Sequence, residues 1–413
     1  PHWGASCRWG AGTSWSNGLG DDDGRPVVND FLVLGGGMAG ACAGFFLADH
    51  GRVTVLEMED GLGYHSTGRS AALFSEYYGN RCVRALTAAA RPFFDAPPPG
   101  FAAHPLLTPR GVVALAPHGA EERFAAVLAD GRECASGVRE LALDEVQEFC
   151  PIVRPGWYSR AMHKPGAMDI DVDGLHQGFV RGIRAKGGAV LTRAAVRALA
   201  RRDGLWHVTT DGGELAAPVV VNAAGAWADG LAVLAGVAPL GLVPKRRTAC
   251  IVPPPPGLDV TAWPLVCDVT ETFYFKPEAG GLMVCPVDAT PLEPCDVRPD
   301  DLDVAIAAAR FEEVTTLTVR RISHQWAGLR VFARDDTPAL GPAPDAPGFF
   351  WLAGLGGYGI QIAPSVGRAV AALATAGRLP DDLTGHAVTA EALAPARLLG
   401  APLRTPAESA VPG

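Results

Sequence analysis

Residues 30–57 read DFLVLGGGMAGACAGFFLADHGRVTVLE, and this stretch decides the fold class. Its first five residues are an apolar run that is typical of a buried parallel strand. Glycines follow up to Gly40, and then small apolar residues that favour a helix packed closely on a sheet. Gly51 predicts the end of this helix, and residues 52–57 predict a second strand that ends in an acid. This order of elements predicts a Rossmann-like βαβ unit.

The glycines of this unit match the fingerprint of a dinucleotide site. Gly35 predicts the tight turn, Gly37 the close approach of backbone to a pyrophosphate, and Gly40 the close packing of helix on strand. The N-terminus of the helix favours the phosphates. Glu57 follows Gly35 by about 20 residues, where a carboxylate accepts both ribose hydroxyls and disfavours a 2′-phosphate.

Two further segments favour FAD over NAD. Residues 61–72, GLGYHSTGRSAA, predict a loop along a ribityl chain rather than another βα unit. Near the C-terminus, residues 349–353 predict a strand, residues 354–359 a glycine-rich loop and residues 360–376 a helix of small residues. A helix N-terminus aimed at a flavin stabilises negative charge on the reduced ring. An ordinary βα turn is the alternative interpretation of this loop.

The middle of the chain returns to the same pattern. Asp173 is predicted to cap a helix that runs to Lys186, and a strand is expected over 189–198. A hairpin with turns at 202–204 and 211–213 precedes a buried strand within 218–227.

The predicted fold class is α/β, with a glutathione-reductase-type FAD-binding domain and an antiparallel-sheet substrate domain. Alternating patterns in the intervening segments favour that second sheet. The FAD-binding domain is expected to be discontinuous, over residues 28–97, 166–240 and 326–400. The substrate domain is expected over residues 98–165 and 241–325. Residues 1–25 are expected to be a disordered extension outside the fold.

Composition excludes several other classes of protein. The 413 residues carry a net charge of −9 and have no basic run, which argues against nucleic-acid binding. No apolar run reaches the roughly 18 residues of a membrane span. The nine cysteines include no CxxC pair, so neither a metal site nor a disulfide framework is predicted. Scattered cysteines of this kind favour a cytoplasmic protein.

Seven motifs together resemble the D-amino acid oxidase/sarcosine oxidase family of FAD enzymes, and most of all its bacterial D-arginine dehydrogenases. The resemblance covers about residues 28–400 and rests on VLGGGMAGACAGFFLADHGRVTVLE, GYHSTGRSAA, VVNAAGAWADGLA, VPKRR, FYFKP, WAGLR and GGYGIQ. It implies FAD contacts at Ala39, Glu57, Met58, Ser66, Thr67, Gly68, Arg69, Ser70, Ala71, Ala72, Leu73, Val196, Gly356, Gly357, Tyr358, Gly359, Ile360 and Gln361. It also implies non-covalent FAD despite His65.

The resemblance implies a substrate site at Tyr78, Tyr274, Arg247, Arg330 and Gly357. Arginine suits an amino-acid carboxylate because its planar fork binds the two oxygens together. Tyrosine hydroxyls add neutral donors. For Arg247 the choice stays open, since the two residues before it are also cationic and either could be the inward one.

Two departures from the family bear on the substrate. The D-arginine dehydrogenases have a His where this chain has Leu73, and a Glu for the guanidinium at about Gly111-Val112. Because a buried guanidinium beside Leu73 and Val112 lacks a charge partner, we expect arginine and lysine to be poor substrates. A neutral or apolar D-amino acid, or a proline-like secondary amine, is the expected substrate.

The expected reaction is oxidation of a D-amino acid to an imino acid, which water converts to a 2-oxo acid and ammonia. A sarcosine- or glycine-type oxidase of N-alkyl amino acids is the first alternative. A flavin-binding protein without turnover is the second. The electron acceptor stays open between O2, a quinone and another carrier.

Overall fold

A computed structural model describes residues 27–400, so the predicted extension at residues 1–25 lies outside the described residues. Its centre is a six-stranded sheet that begins where the sequence predicts it, at Phe31–Leu34. Five strands are parallel, and the sixth pairs antiparallel at one edge. Across the sheet the order is Ala189–Leu191, Val53–Leu56, Phe31–Leu34, Val219–Asn222, Phe349–Ala353 and Ala339–Pro342.

One face of this sheet is covered by helices with small residues at their contacts. The helix Met38–Leu47 packs between Val172–Ala185 and Ala363–Ala376, and Arg81–Asp95 packs outside the last of these. A Cβ atom on Gly44 would lie 2.9 Å from both Ile183 and Val55, so this spacing needs a glycine. The remaining α-helices are Glu121–Cys134, Val146–Phe149, Ala228–Leu234, Asp301–Val314, Asp381–Gly385 and Ala390–Leu393, with 3-10 turns at Gly225–Trp227 and Pro395–Leu398.

A four-stranded sheet covers the opposite face. It contains the predicted hairpin and has the order Val27–Val28, Gly213–Ala217, Leu205–Thr210 and Val196–Arg202. Trp206 and Val208 from this sheet join Leu32 and Val220 of the parallel sheet in one apolar cluster. The parallel sheet is therefore buried on both faces, as its continuous apolar runs require.

Two local predictions are wrong. The middle helix is capped by Asp171, whose carboxylate accepts a hydrogen bond from Gly174 N (2.8 Å), and Asp173 lies in the first turn. The strand expected over 189–198 is two strands in different sheets. The break lies at Arg193, which has φ 53° and donates its backbone N–H to Glu59 O (2.9 Å).

The second lobe is built on a nine-stranded sheet. Its order is Leu355–Gly356, His324–Phe332, Val243–Val252, Gly281–Cys285, Tyr274–Glu278, Leu265–Asp268, Val112–Pro117, Tyr158–Lys164 and Arg139–Leu141. One pair is parallel, Leu265–Asp268 with Val112–Pro117, so this sheet is mixed rather than purely antiparallel. The strand His324–Phe332 belongs to this sheet, although residues from 326 onward were assigned to the cofactor domain. A small third sheet joins Leu73–Phe74, Met168–Ile170 and Leu107–Pro109.

One face of the large sheet is apolar, and the opposite face is mixed. Val266, Phe275 and Val284 pack with Phe311 of the helix Asp301–Val314 on the apolar side. The mixed face carries two smaller apolar clusters and also Arg247, Tyr274 and Arg330, which line the cavity described below. Within residues 27–400 no helix is long and apolar enough to cross a membrane.

Candidate active site

One cavity runs from the carboxyl ends of the parallel strands to the mixed face of the large sheet. Gly35, Gly37, Met38, Ala39 and Glu57 line one end, and Arg247, Tyr274 and Arg330 line the other. Carboxyl ends of parallel strands are where α/β folds bind their ligands. The cavity therefore joins the predicted cofactor residues to the predicted substrate residues. Its walls also include Met58, Ser66, Thr67, Arg69, Ser70, Ala71, Val196, Gly356, Gly357, Gly359 and Ile360.

The glycine turn at the first end has no room for side chains. Gly35 has φ 110°, and a Cβ atom on it would lie 2.5 Å from Ala223 O. On Gly40 a Cβ atom would lie 1.8 Å from Gly35 O. These contacts bring the start of the helix directly under the turn, at the end of the cavity where a helix N-terminus would favour a pyrophosphate.

Glu57 is fixed by the backbone around it. The residue is 7% exposed, its Oε2 accepts a hydrogen bond from Gly36 N (2.8 Å), and its Oε1 accepts one from Glu59 N (3.0 Å). A carboxylate oxygen accepts more than one hydrogen bond, so both oxygens keep capacity for ribose hydroxyls. His176 supports the same turn from behind, with Nε2 2.9 Å from Gly36 O. Burial lowers the pKa of His176, which keeps the ring neutral.

The loop of residues 61–72 is held between the two sheets. Ser66 Oγ donates to Leu329 O (2.6 Å), and Arg69 donates through Nη1 to Val297 O (2.9 Å). In return, Trp326 Nε1 donates to Arg69 O (3.1 Å). The loop is thereby fixed along the cavity, as an extended cofactor requires.

Six predicted cofactor residues do not line the cavity: Gly40, Gly68, Ala72, Leu73, Tyr358 and Gln361. Gly68 packs against Gly63 O, and Ala72 packs against the helical core. The buried Gln361 accepts from Ser75 N (3.1 Å) and donates to Thr87 Oγ1 (2.9 Å). Tyr358 stacks edge-on against Tyr78, with ring centroids 4.8 Å apart. These residues support the wall, and cofactor contacts from them stay a prediction.

His65 and Trp227 are cavity residues for which the sequence interpretation gave no cofactor role. Their ring centroids are 4.6 Å apart, and His65 Nε2 lies 2.9 Å from Glu59 Oε1. Trp227 comes from the turn after the strand Val219–Asn222. The sequence signal for Trp227 is its position in the VVNAAGAWADGLA motif, directly after a buried strand. Like Phe31–Leu34, the strand Val219–Asn222 ends at the cavity.

Strand register brings the substrate residues together. Arg330 lies opposite Lys245, and Arg247 lies opposite Gly328 on the neighbouring strand. Residues directly opposite each other in a ladder share a face, and so do residues two apart along a strand. Arg330 and Arg247 therefore point to the same side, and both line the cavity with Tyr274.

The register also separates Arg247 from the cation before it. Arg246 points to the other face, where it pairs with Asp303 (2.8 Å) and lies 3.6 Å from Asp288. Lys245 Nζ lies over the ring of Phe332, 5.1 Å from its centroid. Of these three adjacent cations, Arg247 is the one that lines the cavity.

Arg330 and Arg247 form no ion pair with any carboxylate among residues 27–400. Arg330 Nη1 lies 3.4 Å from Tyr78 Oη, and Arg247 Nε donates to the Asp288 carbonyl oxygen (2.7 Å). Burial raises the pKa of Tyr274, so its hydroxyl stays protonated and can donate. Two guanidinium groups and neutral hydroxyls make this end of the cavity a site for an anion.

Gly357 leaves the space in front of these groups. A Cβ atom there would lie 2.9 Å from Arg330 Nη1 and 3.1 Å from Tyr78 Oη. Any side chain at Gly357 would displace one of them. This loop, between the strand Phe349–Ala353 and the helix Ala363–Ala376, is thus shaped by the arginine opposite it.

Leu73 and Val112 are not part of the cavity wall. Leu73 pairs with Asp169 in the small sheet, and Val112 is 6% exposed in an apolar cluster with Tyr77. Lys164 lies directly opposite Val112 and shares its face. A role for Leu73 and Val112 in a substrate pocket stays a prediction. Among residues 27–400 no group of three His, Cys, Asp or Glu side chains could hold a metal ion.

Comparisons with known proteins agree with this arrangement. Glycine oxidase of Geobacillus kaustophilus is 24% identical over 387 residues, which cover 87% of this chain and 96% of the relative. Its crystal structure has a TM-score of 0.75 and covers 84% of this chain and 95% of that one. The structure of L-proline dehydrogenase from P. horikoshii has a TM-score of 0.77 at 20% identity, covering 92% of this chain and 100% of that one. These structures share the fold.

Bovine FAD-dependent oxidoreductase domain-containing protein 1 is 32% identical over 198 residues, 41% of this chain. That match spans only 39% of the bovine protein's length. The family model described as "DAO: FAD dependent oxidoreductase" matches residues 30–373. This range includes the glycine turn and Glu57, whose geometry fits FAD. It also includes Arg247 and Arg330 at the other end of the cavity. The resemblance to D-arginine dehydrogenases in particular stays a prediction. The chain belongs to the DAO family of FAD-dependent oxidoreductases.

Proposed function

We propose that this protein oxidises the Cα–N bond of an amino acid, in particular a D-amino acid. The observation that supports this most directly is the pair Arg330 and Arg247, which face the cavity without carboxylate partners. Two guanidinium groups that line a cavity without a carboxylate partner favour an anionic ligand at this end. An amino-acid carboxylate matches the size and the planar geometry of that site.

The residues of this chain would bind and orient the substrate. Arg330 and Arg247 hold its carboxylate, and Tyr78 and Tyr274 donate hydrogen bonds to it. This grip fixes Cα beside the cofactor, and such positioning supplies much of the rate of a two-reactant step. Bound FAD would accept the hydride from Cα.

The reaction balances without a catalytic base in the protein. The neutral amine loses a proton to solvent as Cα loses its hydride, which leaves an imino acid. Water then converts the imino acid to a 2-oxo acid and ammonia. Non-covalent FAD is proposed, with His65 held by Glu59 rather than attached to the cofactor.

Neutral or apolar side chains are proposed over cationic ones. Val112 stands about where D-arginine dehydrogenases carry a Glu for the guanidinium, and Glu57, at the cofactor end, is the one acidic residue among the described residues that line this cavity. A substrate guanidinium would therefore lack a carboxylate partner at the substrate end. D-Methionine is therefore expected to have a kcat/KM at least about tenfold above that of D-arginine, a difference of about 1.4 kcal/mol. A preference for D-arginine would contradict this part of the proposal.

A glycine- or sarcosine-type activity is the second candidate. It is favoured by the named glycine oxidase relative, which the chain matches over 96% of its length, and by human dimethylglycine dehydrogenase, matched at 26% identity over 58% of this chain. The same arginine pair would serve it. A flavin-binding role without turnover is a third candidate, which the unpaired arginines disfavour.

The test is anaerobic addition of single D- and L-amino acids, glycine and sarcosine to the purified holoenzyme. Bleaching of the flavin by D-amino acids, with ammonia and a 2-oxo acid as products, is the expected result. Formaldehyde from sarcosine would support the second candidate. Absence of bleaching with every compound would overturn both, and repetition in air would distinguish O2 from another acceptor.

A further inference from the structure

The edge of the strand Val243–Val252 that carries Arg247 is completed by a side chain. Gly281–Cys285 pairs with this strand only at residues 250–252. Beyond that point Thr248 N donates to Asp288 Oδ1 (2.6 Å), where a neighbouring strand would offer a carbonyl oxygen. Backbone hydrogen bonds from Arg246 N to Thr290 O (2.8 Å) and from Leu292 N to Pro244 O (3.0 Å) continue the edge.

Asp288 holds both the backbone and the side chain of this part of the strand. Its carbonyl oxygen accepts from Arg247 Nε (2.7 Å), and its Oδ2 accepts from Thr248 Oγ1 (3.0 Å). The Asp288 side chain is only 5% exposed. With Nε fixed in this way, the two terminal nitrogens of Arg247 remain for a ligand in the cavity that Arg247 lines.

The segment that carries Asp288 has an unusual backbone. Val287 has φ 56°, in the left-handed region that β-branched residues rarely adopt. Its N–H donates to Cys285 Sγ (3.4 Å), and Arg310 Nη1 donates to Pro286 O (2.7 Å). Backbone strain of this kind persists where surrounding contacts hold it, commonly beside functional sites. Here it turns the chain so that the Asp288 carbonyl meets Arg247.

We propose that Asp288 is a positioning residue that aims the Arg247 guanidinium at the carboxylate of the substrate. It acts through the segment Pro286–Asp288 and does not itself contact the substrate. This inference rests on the proposed function, in which Arg247 binds that carboxylate. A residue with a general structural role would weaken the protein whether or not Arg247 is present. A positioning residue affects ligand binding only through Arg247.

The test is a double-mutant cycle on acetate binding to the oxidised holoenzyme, followed by the flavin absorption spectrum. Asp288→Ala is expected to raise the Kd for acetate about tenfold, and Asp288→Asn, which keeps an acceptor for Thr248, less than about twofold. In an Arg247→Met background, Asp288→Ala is expected to change the Kd less than about twofold further. An equal effect in both backgrounds, or no effect in either, would overturn the proposal.

Flavin content and melting temperature are measured for every variant. If Asp288→Ala fails to fold, acetate binding to Val287→Gly tests the proposal instead. Glycine accepts the positive φ and makes the segment that carries Asp288 more flexible. A raised Kd at an unchanged or higher melting temperature supports the proposal, and a wild-type Kd overturns it. Acetate binding needs no turnover. An enzyme that no amino acid reduces, yet whose acetate binding follows the cycle, would therefore refute only the proposed function.

Discussion

The two ends of the cavity are specified in different ways. At the cofactor end, the decisive contacts join residues close in sequence, as where a Cβ atom on Gly40 would meet Gly35 O at 1.8 Å. At the substrate end, strand register brings Arg247, Tyr274 and Arg330 together from separate segments, and Tyr78 reaches Arg330 from a turn distant in sequence. The first end is therefore a property of a local motif. The second is a property of the assembled sheet. Mutations at the two ends are therefore expected to affect FAD content and substrate binding differently.

The largest effect is expected at the local end, from Gly40→Ala. The added methyl group collides with backbone, which cannot move aside as a flexible side chain can. FAD content is expected to fall below about a tenth of wild type, with the melting temperature lowered by about 10 °C. Both are read from flavin absorption and calorimetry. Gly61→Ala is the matched control, because nothing lies within 4 Å of the new atom; equal behaviour of the two variants would refute the packing argument.

Arg330→Met tests the assembled end. Loss of a charge-assisted, two-point contact is expected to lower kcat/KM about 1000-fold, or about 4 kcal/mol, while FAD content stays at the wild-type level. Steady-state kinetics on the best substrate of the panel measures this. Arg378→Met is the control, since that side chain is 71% exposed and pairs only with Asp381. Loss of FAD together with activity in Arg330→Met would show that the two ends are not separable.

A smaller effect is expected from Gly357→Ala, where the two ends meet. Its methyl group would press on Arg330 Nη1 and Tyr78 Oη, both ends of side chains that can shift. We expect KM to rise about tenfold with little change in FAD content, since the displaced groups bind the carboxylate. Gly385→Ala, with open space around the new atom, serves as control. A variant with unchanged KM would place the substrate carboxylate elsewhere.

The smallest effect concerns His176 behind the glycine turn. Burial lowers its pKa, so the folded protein disfavours the charged ring. The resulting stability is complete above the ordinary histidine value of about 6.5 and is lost as pH falls through the lowered value. The melting temperature of wild type is expected to drop a few degrees more between pH 7 and pH 5 than that of His176→Gln. Parallel curves for both proteins would contradict this assignment.

Sequence alone could predict the cofactor end because the residues that form it are close together in the chain. The strands at Phe31–Leu34 and Phe349–Ala353 and the turns of the hairpin are confirmed. The cap at Asp171 was missed because Asp173 offers the same chemistry two residues later. The break at Arg193 was missed because its cause is a backbone contact with Glu59, which is distant in sequence.

The substrate end is harder to predict from sequence, for a physical reason. Lys245, Arg246 and Arg247 are adjacent and all cationic, so the sequence does not show which of them faces the cavity. Strand register turns Arg247 to the cavity and Arg246 to Asp303. The support for the Arg247 side chain comes from the backbone carbonyl of Asp288, 41 positions further along the chain. Neither contact has a signature in spacing or periodicity.

The central claim is that the arginine pair holds the carboxylate of an amino acid next to the cofactor. It is tested most directly by the rate of anaerobic flavin reduction with D-methionine and with its carboxamide, measured by stopped flow on the same enzyme. The two compounds differ only at the group that the arginines would bind. The account predicts a loss in the second-order rate constant of about 1000-fold for the amide. Equal rates for the two compounds would contradict it.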